Sequence, residues 1–163
     1  MTSQVLSDQS RVAIDAWVRL LGAHAAMTRA FNAELQAARG LTVMDFEVLR
    51  RLGAAEDGRM RRVDLATAVG LTPSGITRLL DGLSGTDLVR KEHCSSDARV
   101  TYAAITPEGR AALAAAARVH ITALVETFGQ RFSPSELEAL VELLGRLPGA
   151  AEADASCGTD EPL

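Results

Sequence analysis

The chain has 163 residues, 47% of them hydrophobic and 23% charged, with a formal net charge of −4. That size suits one domain, or one compact unit with helical extensions. The absence of any run of eighteen apolar residues argues against a membrane span, and two cysteines, Cys94 and Cys157, make no disulfide framework. The opening residues "MTSQVLSDQSR" lack the basic start and apolar centre of a secretory signal, so a cytoplasmic setting is expected. The acidic sum argues at first against a polyanionic partner, but it is unevenly spread. From Arg59 to Val100 there are seven Lys/Arg against five Asp/Glu, a local balance of +2 that leaves −6 for the rest. Charge therefore permits a nucleic-acid partner without establishing one.

A first long helix is predicted over about residues 10–38. Ile14, Trp17, Leu21, His24, Thr28, Phe31 and Leu35 fall on one alternating three-four seam, the pattern of a helix packed along another helix. "GLT" at 40–42 ends it and starts the next, with Thr42 as N-cap, Asp45 in the first turn, and Phe46, Leu49 and Leu52 inward up to Gly53. "EDGRM" at 56–60 reads as a turn. "VDLATAVG" follows as a third helix, with Leu65, Ala66 and Val69 inward and Gly70 at its end.

The stretch "GLTPSGITRLLDGL" at 70–83 supplies a fourth helix after only Leu71 and Thr72, with Thr72 as cap and Pro73 at the first helical position. Two short helices joined so tightly make a helix-turn-helix. "LVRKEH" and "RVTYAAI" (88–93 and 99–105), joined by the small polar "CSSDA", are expected to form a projecting β-hairpin. Thr106-Pro107 caps a further helix, apolar at Leu113, Ala117, His120, Leu124 and Phe128. Ser133-Pro134-Ser135-Glu136 is a capping box opening the last one, with Leu137, Leu140, Val141, Leu144 and Leu147. Residues 148–163 carry four acids and no bases, a composition that favours disorder.

The fourth helix carries the chemistry. Ile76, Leu79, Leu80 and Leu83 pin one side, while Ser74, Thr77, Arg78 and Asp81 cluster opposite, at about 100° per residue. Arginine reaches guanine O6 and N7 bidentately, and Ser or Thr meets base edges, thymine methyls or phosphate. Free backbone N–H groups near Thr72, Pro73 and Ser74 suit a phosphate oxygen, and Gly75 admits close approach of a strand. A solvated helix with ordinary polar residues is the competing reading, which the helix-turn-helix spacing and the hairpin outweigh.

In this order, "LTVMDFEVLRRL", "VDLATAVGLTPSGITRLLDGL" and "LVRKEHCSSDARVTYAAITPEGR" resemble the successive signatures of MarR-type winged helix-turn-helix regulators, over about residues 40–110. The L-x-x-S-x-x-T-R helix, the D-x-R of the wing and the following I-T-P-x-G-R carry the resemblance. It implies a mainly α fold with a small β-hairpin wing and a homodimer built from helices of both termini. The implied divisions are 1–39 (N-terminal dimerisation helix), 40–105 (winged helix-turn-helix), 106–147 (C-terminal dimerisation helices) and 148–163 (tail). It further implies a pseudo-palindromic double-stranded DNA operator, most often under repression, with Arg99 entering the minor groove and Asp97 orienting a nearby arginine. Arg90, Lys91, Ser95 and Ser96 suit phosphates. Two positions depart from the family: Asp87 stands where glycine is common before the first wing strand, and Gly82 falls inside the recognition helix.

Many relatives bind small aromatic or phenolic acids between the DNA-binding domain and the dimer helices. Here Trp17 could stack on such a ring, with His24 or Arg50 meeting its carboxylate. The alternative is that Trp17 packs in the core or dimer and His24 is a satisfied buried imidazole. Cys94 sits near Lys91 and His93, neighbours that lower a thiol pKa, but the first helix, where oxidation-sensing relatives usually keep their cysteine, has none. No metal-ligand spacing and no enzyme signature is visible, so no cofactor and no catalysis are expected. A dimeric small-molecule-binding or protein-interaction module that keeps the fold without operator binding remains the alternative function.

Overall fold

The computed structural model describes residues 7–93 and 100–148, the side chain of His93 excepted. Among them the order is α1 (Asp8–Arg39), α2 (Val43–Ala54), β1 (Arg59–Arg61), α3 (Arg62–Ala68), α4 (Pro73–Gly85), β2 (Val89–His93), β3 (Thr101–Ile105), α5 (Pro107–Gly129) and α6 (Pro134–Gly145). The strands form one antiparallel sheet in the order β1-β3-β2.

Five of the six described helix starts are written in their caps, α3 alone beginning without a side-chain cap bond. Ser7, Thr42, Thr72, Thr106 and Ser133 all accept a backbone N–H with their side-chain oxygens, satisfying a donor that the first turn leaves unpaired. Thr42 with Asp45 and Ser133 with Glu136 close full capping boxes. Asn32 of α1 adds a second acceptor for α2, its Oδ1 taking the Val43 N–H at 2.7 Å. Gly40 ends α1 in the left-handed conformation at φ +68, where a side chain would be strained.

The core lies where α2, α3, α4, the sheet and parts of α1 and α5 converge. Leu35, Leu49, Leu52, Leu65, Ile76, Leu80, Val48 and Val89 are its fully buried large side chains. Alanines 116 and 117 let α5 approach closely. By length and composition alone α5 is apolar enough to cross a membrane, with a window of mean hydropathy 1.3. Here it packs along α1 and α2.

The structure refines three of these expectations. The hairpin is part of a three-stranded sheet: Arg59, Met60 and Arg61, read as the end of a turn, pair with Ala104, Ala103 and Tyr102. A three-residue strand has no periodicity of its own and is defined by the partner it meets. The α1 seam is buried only at Phe31 and Leu35, whereas Ile14, Trp17 and Leu21 are exposed within a single chain. His24 is likewise exposed within the single chain. No residue of α6 is buried, and Val141 is 72% exposed. The hairpin tip and the acidic tail, including Cys94 and Cys157, lie outside the described residues.

Candidate nucleic-acid interface

The turn between α3 and α4 is built by the backbone. Gly70, at φ +67, lets its N–H reach Thr67 O at 3.1 Å and the Leu71 N–H reach Ala66 O at 2.9 Å, closing α3 with a paired C-terminal motif. Thr72 then caps α4 through the Gly75 N–H at 3.1 Å, and Pro73 holds the first helical position. Ile76, Leu80 and Leu83 anchor α4 in the core, with Leu79 half-buried beside them.

This anchoring leaves Thr72, Pro73, Ser74, Arg78 and Asp81 exposed, with Gly75 and Thr77 half-exposed at the margins. The polar groups differ in how far they are already engaged. Ser74 Oγ lies 3.3 Å from Thr72 Oγ1. Thr77 Oγ1 donates to Pro73 O at 2.8 Å. Asp81 accepts from Lys91 Nζ across the gap to β2. Arg78 has no hydrogen bond or ion pair among the described residues.

The wing base carries a chain of charges. Arg90 Nε donates to Glu92 at 2.6 Å, and Arg59 lies 3.5 Å from Glu92 and 3.4 Å from Asp57. The Arg90 hydrogen bond, with Arg59 behind it, holds the Glu92 carboxyl below its ordinary value. Arg59 also lies over the Tyr102 ring at 5.3 Å. Arg90 and Lys91, read as phosphate anchors, are thus both engaged by carboxylates here. Ser95, Ser96, Asp97 and Arg99 lie outside the described residues.

The motif after β3 locks the wing base to the body. Thr106 Oγ1 donates to Asp87 O at 2.6 Å and accepts the Gly109 N–H at 2.9 Å. Asp87 stands at φ +58, the left-handed conformation anticipated for this position. Gly109 passes so close to the Leu88 carbonyl that a Cβ there would lie 2.1 Å from its oxygen. Arg110 reaches back to Gly53 O at 3.4 Å.

The residues read as an effector site are not gathered in the same way. Trp17 and His24 stand exposed on α1, Trp17 at 59%. Arg50 is half-buried on α2, where Glu47 takes its Nε at 2.8 Å and its Nη2 at 2.6 Å, and Arg51 shares the same carboxylate. Burial would raise the Glu47 carboxyl, but hydrogen bonds and charge from both arginines outweigh it and hold it below the ordinary value. A cleft of about 630 Å³ between α1 and α5 is lined by Glu34, Arg118, Thr122, Glu126 and small apolar residues, and by none of Trp17, His24 and Arg50.

The histidine that packs at the helix junction is His120. Phe31 meets it edge-on at 5.2 Å and Phe46 at 5.0 Å, and its buried Nδ1 has no hydrogen-bond partner among the described residues. Burial lowers its pKa, against the opposing pull of Glu34 and Glu47. Its apolar position in the α5 pattern was legible from sequence; its junction role was not. Among the described residues no group of three or more His, Cys, Asp or Glu is placed to hold a metal ion.

A helix-turn-helix whose second helix stands proud, backed by a three-stranded sheet ending in a hairpin, defines a winged helix regulator. The MarR family model matches residues 41–101. The HTH-type transcriptional repressor YetL of Bacillus subtilis is 32% identical over 111 residues, which span 68% of this chain and 66% of YetL, just under two thirds of that relative. AbsC, a MarR family transcriptional regulator from Streptomyces coelicolor, superposes with a TM-score of 0.74 at 30% identity, over 87% of this chain and 93% of AbsC. Sco3205, a regulator of the same family and organism solved in complex with DNA, gives 0.76 at 24% identity over 88% of each chain, a likeness of fold. The chain belongs to the MarR family of transcriptional regulators.

Proposed function

We propose that this regulator is a cytoplasmic repressor that acts as a homodimer on a pseudo-palindromic DNA operator, with α4 in the major groove and the hairpin at the adjacent minor groove. The observation that carries this reading is Arg78: exposed on a helix pinned by Ile76, Leu80 and Leu83, and unpaired among the described residues. An unclaimed guanidinium on a rigid support is suited to a guanine edge. Ser74 and the α4 N-terminus suit the flanking phosphates. Residues 95, 96, 97 and 99 extend the footprint into the wing, with Arg99 responding to minor-groove potential.

Dimerisation is supported by apolar surface left uncovered at both ends of the chain: Ile14, Trp17 and Leu21 on α1, and Val141, Leu143 and Leu144 on α6. Two α4 helices must then stand about 34 Å apart to enter successive major grooves. A ligand favouring a different separation would release DNA by population shift. In this reading such a ligand is a small aromatic acid, and residues 1–39 and 106–147 are the dimerisation regions around a DNA-binding unit at 40–105.

The test is binding to the DNA upstream of the protein's own gene at several salt concentrations. Log affinity is expected to fall steeply with log salt, and Arg78→Ala to weaken binding by about 1–3 kcal/mol and selectively at one position of each half-site. Equal binding of wild type and Arg78→Ala to every duplex would refute the assignment.

A further inference from the structure

The outward face of α4 offers fewer reading groups than its sequence suggests. Of its four polar side chains, three already have a hydrogen-bond partner within the protein. Asp81 accepts from Lys91, an exposed ion pair that competes with any cytosine amino group approaching the carboxylate. Ser74 Oγ is shared with the Thr72 cap. Thr77 spends its hydroxyl hydrogen on Pro73 O, one turn back along the helix. A threonine whose hydroxyl hydrogen is spent in this way has no donor left for a base; its oxygen can only accept, and its γ-methyl is the apolar group it can present. Thr77 is half-exposed at the edge of the face, next in sequence to the unpaired Arg78.

From this we infer that Thr77 is a specificity-determining residue that reads a thymine through its C5 methyl group, beside the guanine read by Arg78. The inference rests on the operator-binding reading above and deepens it. Its chemistry is apolar contact between two methyl groups in the major groove, where thymine alone of the four bases carries one. Each half-site therefore contains a thymine within the reach of one helical step from the guanine, and the hydroxyl of Thr77 contributes helix geometry in place of base recognition.

Removing only the methyl groups from DNA separates this from every hydrogen-bonding scheme. A duplex enriched by the wild-type protein from a randomised pool is compared with the same duplex carrying uracil for thymine. Wild type is expected to bind the uracil duplex about fourfold more weakly per half-site, the value of one buried methyl, hence about sixteenfold for a dimer. Thr77→Val, which keeps the methyl and drops the hydroxyl, should retain that ratio. Thr77→Ser, which keeps the hydroxyl, should bind both duplexes equally and about as weakly as wild type binds uracil DNA. Arg78→Ala should lose affinity on both duplexes while preserving the ratio. Equal wild-type affinity for the two duplexes, or discrimination that survives in Thr77→Ser, would overturn the methyl assignment and leave operator binding standing. Failure to enrich any duplex would overturn operator binding, and this inference with it.

Discussion

Gly109→Ala sets helix propensity against sterics with opposite signs. Alanine is favoured over glycine within helices by about 1 kcal/mol, so propensity alone expects stabilisation at this first-turn position of α5. The structure expects the reverse. A Cβ on Gly109 would sit 2.1 Å from Leu88 O, 2.9 Å from Ile105 Cγ1 and 3.0 Å from Leu88 C. Ordinary carbon–oxygen contacts lie near 3.3 Å, so about 1.2 Å of separation must be found. Leu88 cannot easily yield it, because its N–H donates to Leu83 O at 2.9 Å and its carbonyl accepts from Thr106 N at 3.1 Å. Forcing the groups apart combines overpacking, about 1–3 kcal/mol, with a weakened hydrogen bond, about 1 kcal/mol. The expected net destabilisation is about 1–3 kcal/mol after the propensity gain. Urea unfolding at fixed protein concentration measures it, since a dimer's midpoint moves with concentration. Gly82→Ala is the matched control: it lies inside α4 with nothing within 4 Å of its Cβ position, and should gain about 0.5–1 kcal/mol. If Gly109→Ala is as stable as wild type, the close approach at Leu88 is not a constraint and the reasoning fails.

Replacing Asp87 by glycine should stabilise the protein by about 0.5 kcal/mol, because φ +58 strains a side chain while the bond to Thr106 uses only the backbone carbonyl; a clear loss in the unfolding midpoint would mean the Asp87 side chain contributes. For His120 the folded pKa lies below its ordinary value of 6.5, so the unfolded chain binds the proton first and stability falls as pH drops through and below that value. His120→Leu should flatten this slope between about pH 7 and pH 5, and an unchanged slope would assign the titration elsewhere. Val141→Glu places a charge on a helix with no residue buried in the single chain. It should yield a helical monomer in analytical ultracentrifugation, and a persisting dimer would take that face of α6 out of the interface.

Local signals made most of the architecture legible. Thr42, Thr72, Thr106 and Ser133 each announce a helix start, and in each the cap bond is present. The α4 core residues followed from spacing alone. What escaped the sequence depends on partners distant along the chain. β1 exists because Ala103 and Ala104 offer it an edge. Lys91 is drawn to Asp81, ten residues away, so a residue suited by charge to phosphate already has a carboxylate partner. Residue type tells which groups could bind an anion; only the fold tells which are free. The α1 seam was a correct pattern whose exposed half at Ile14, Trp17 and Leu21 finds no cover within one chain.

Asn32 has a mechanical consequence. By capping α2 from the side of α1, it fastens the winged unit to the long helix at a point about 36 Å from the start of α1. The helix then works as a lever arm with its load clamped at one end. A tilt of only about 5° at the far end swings the clamp by about 3 Å, a sizeable part of the width a groove tolerates. Small adjustments where α1 begins are thereby converted into large changes of reach, carried by the Asn32 bond together with the buried packing of Phe31 and Leu35.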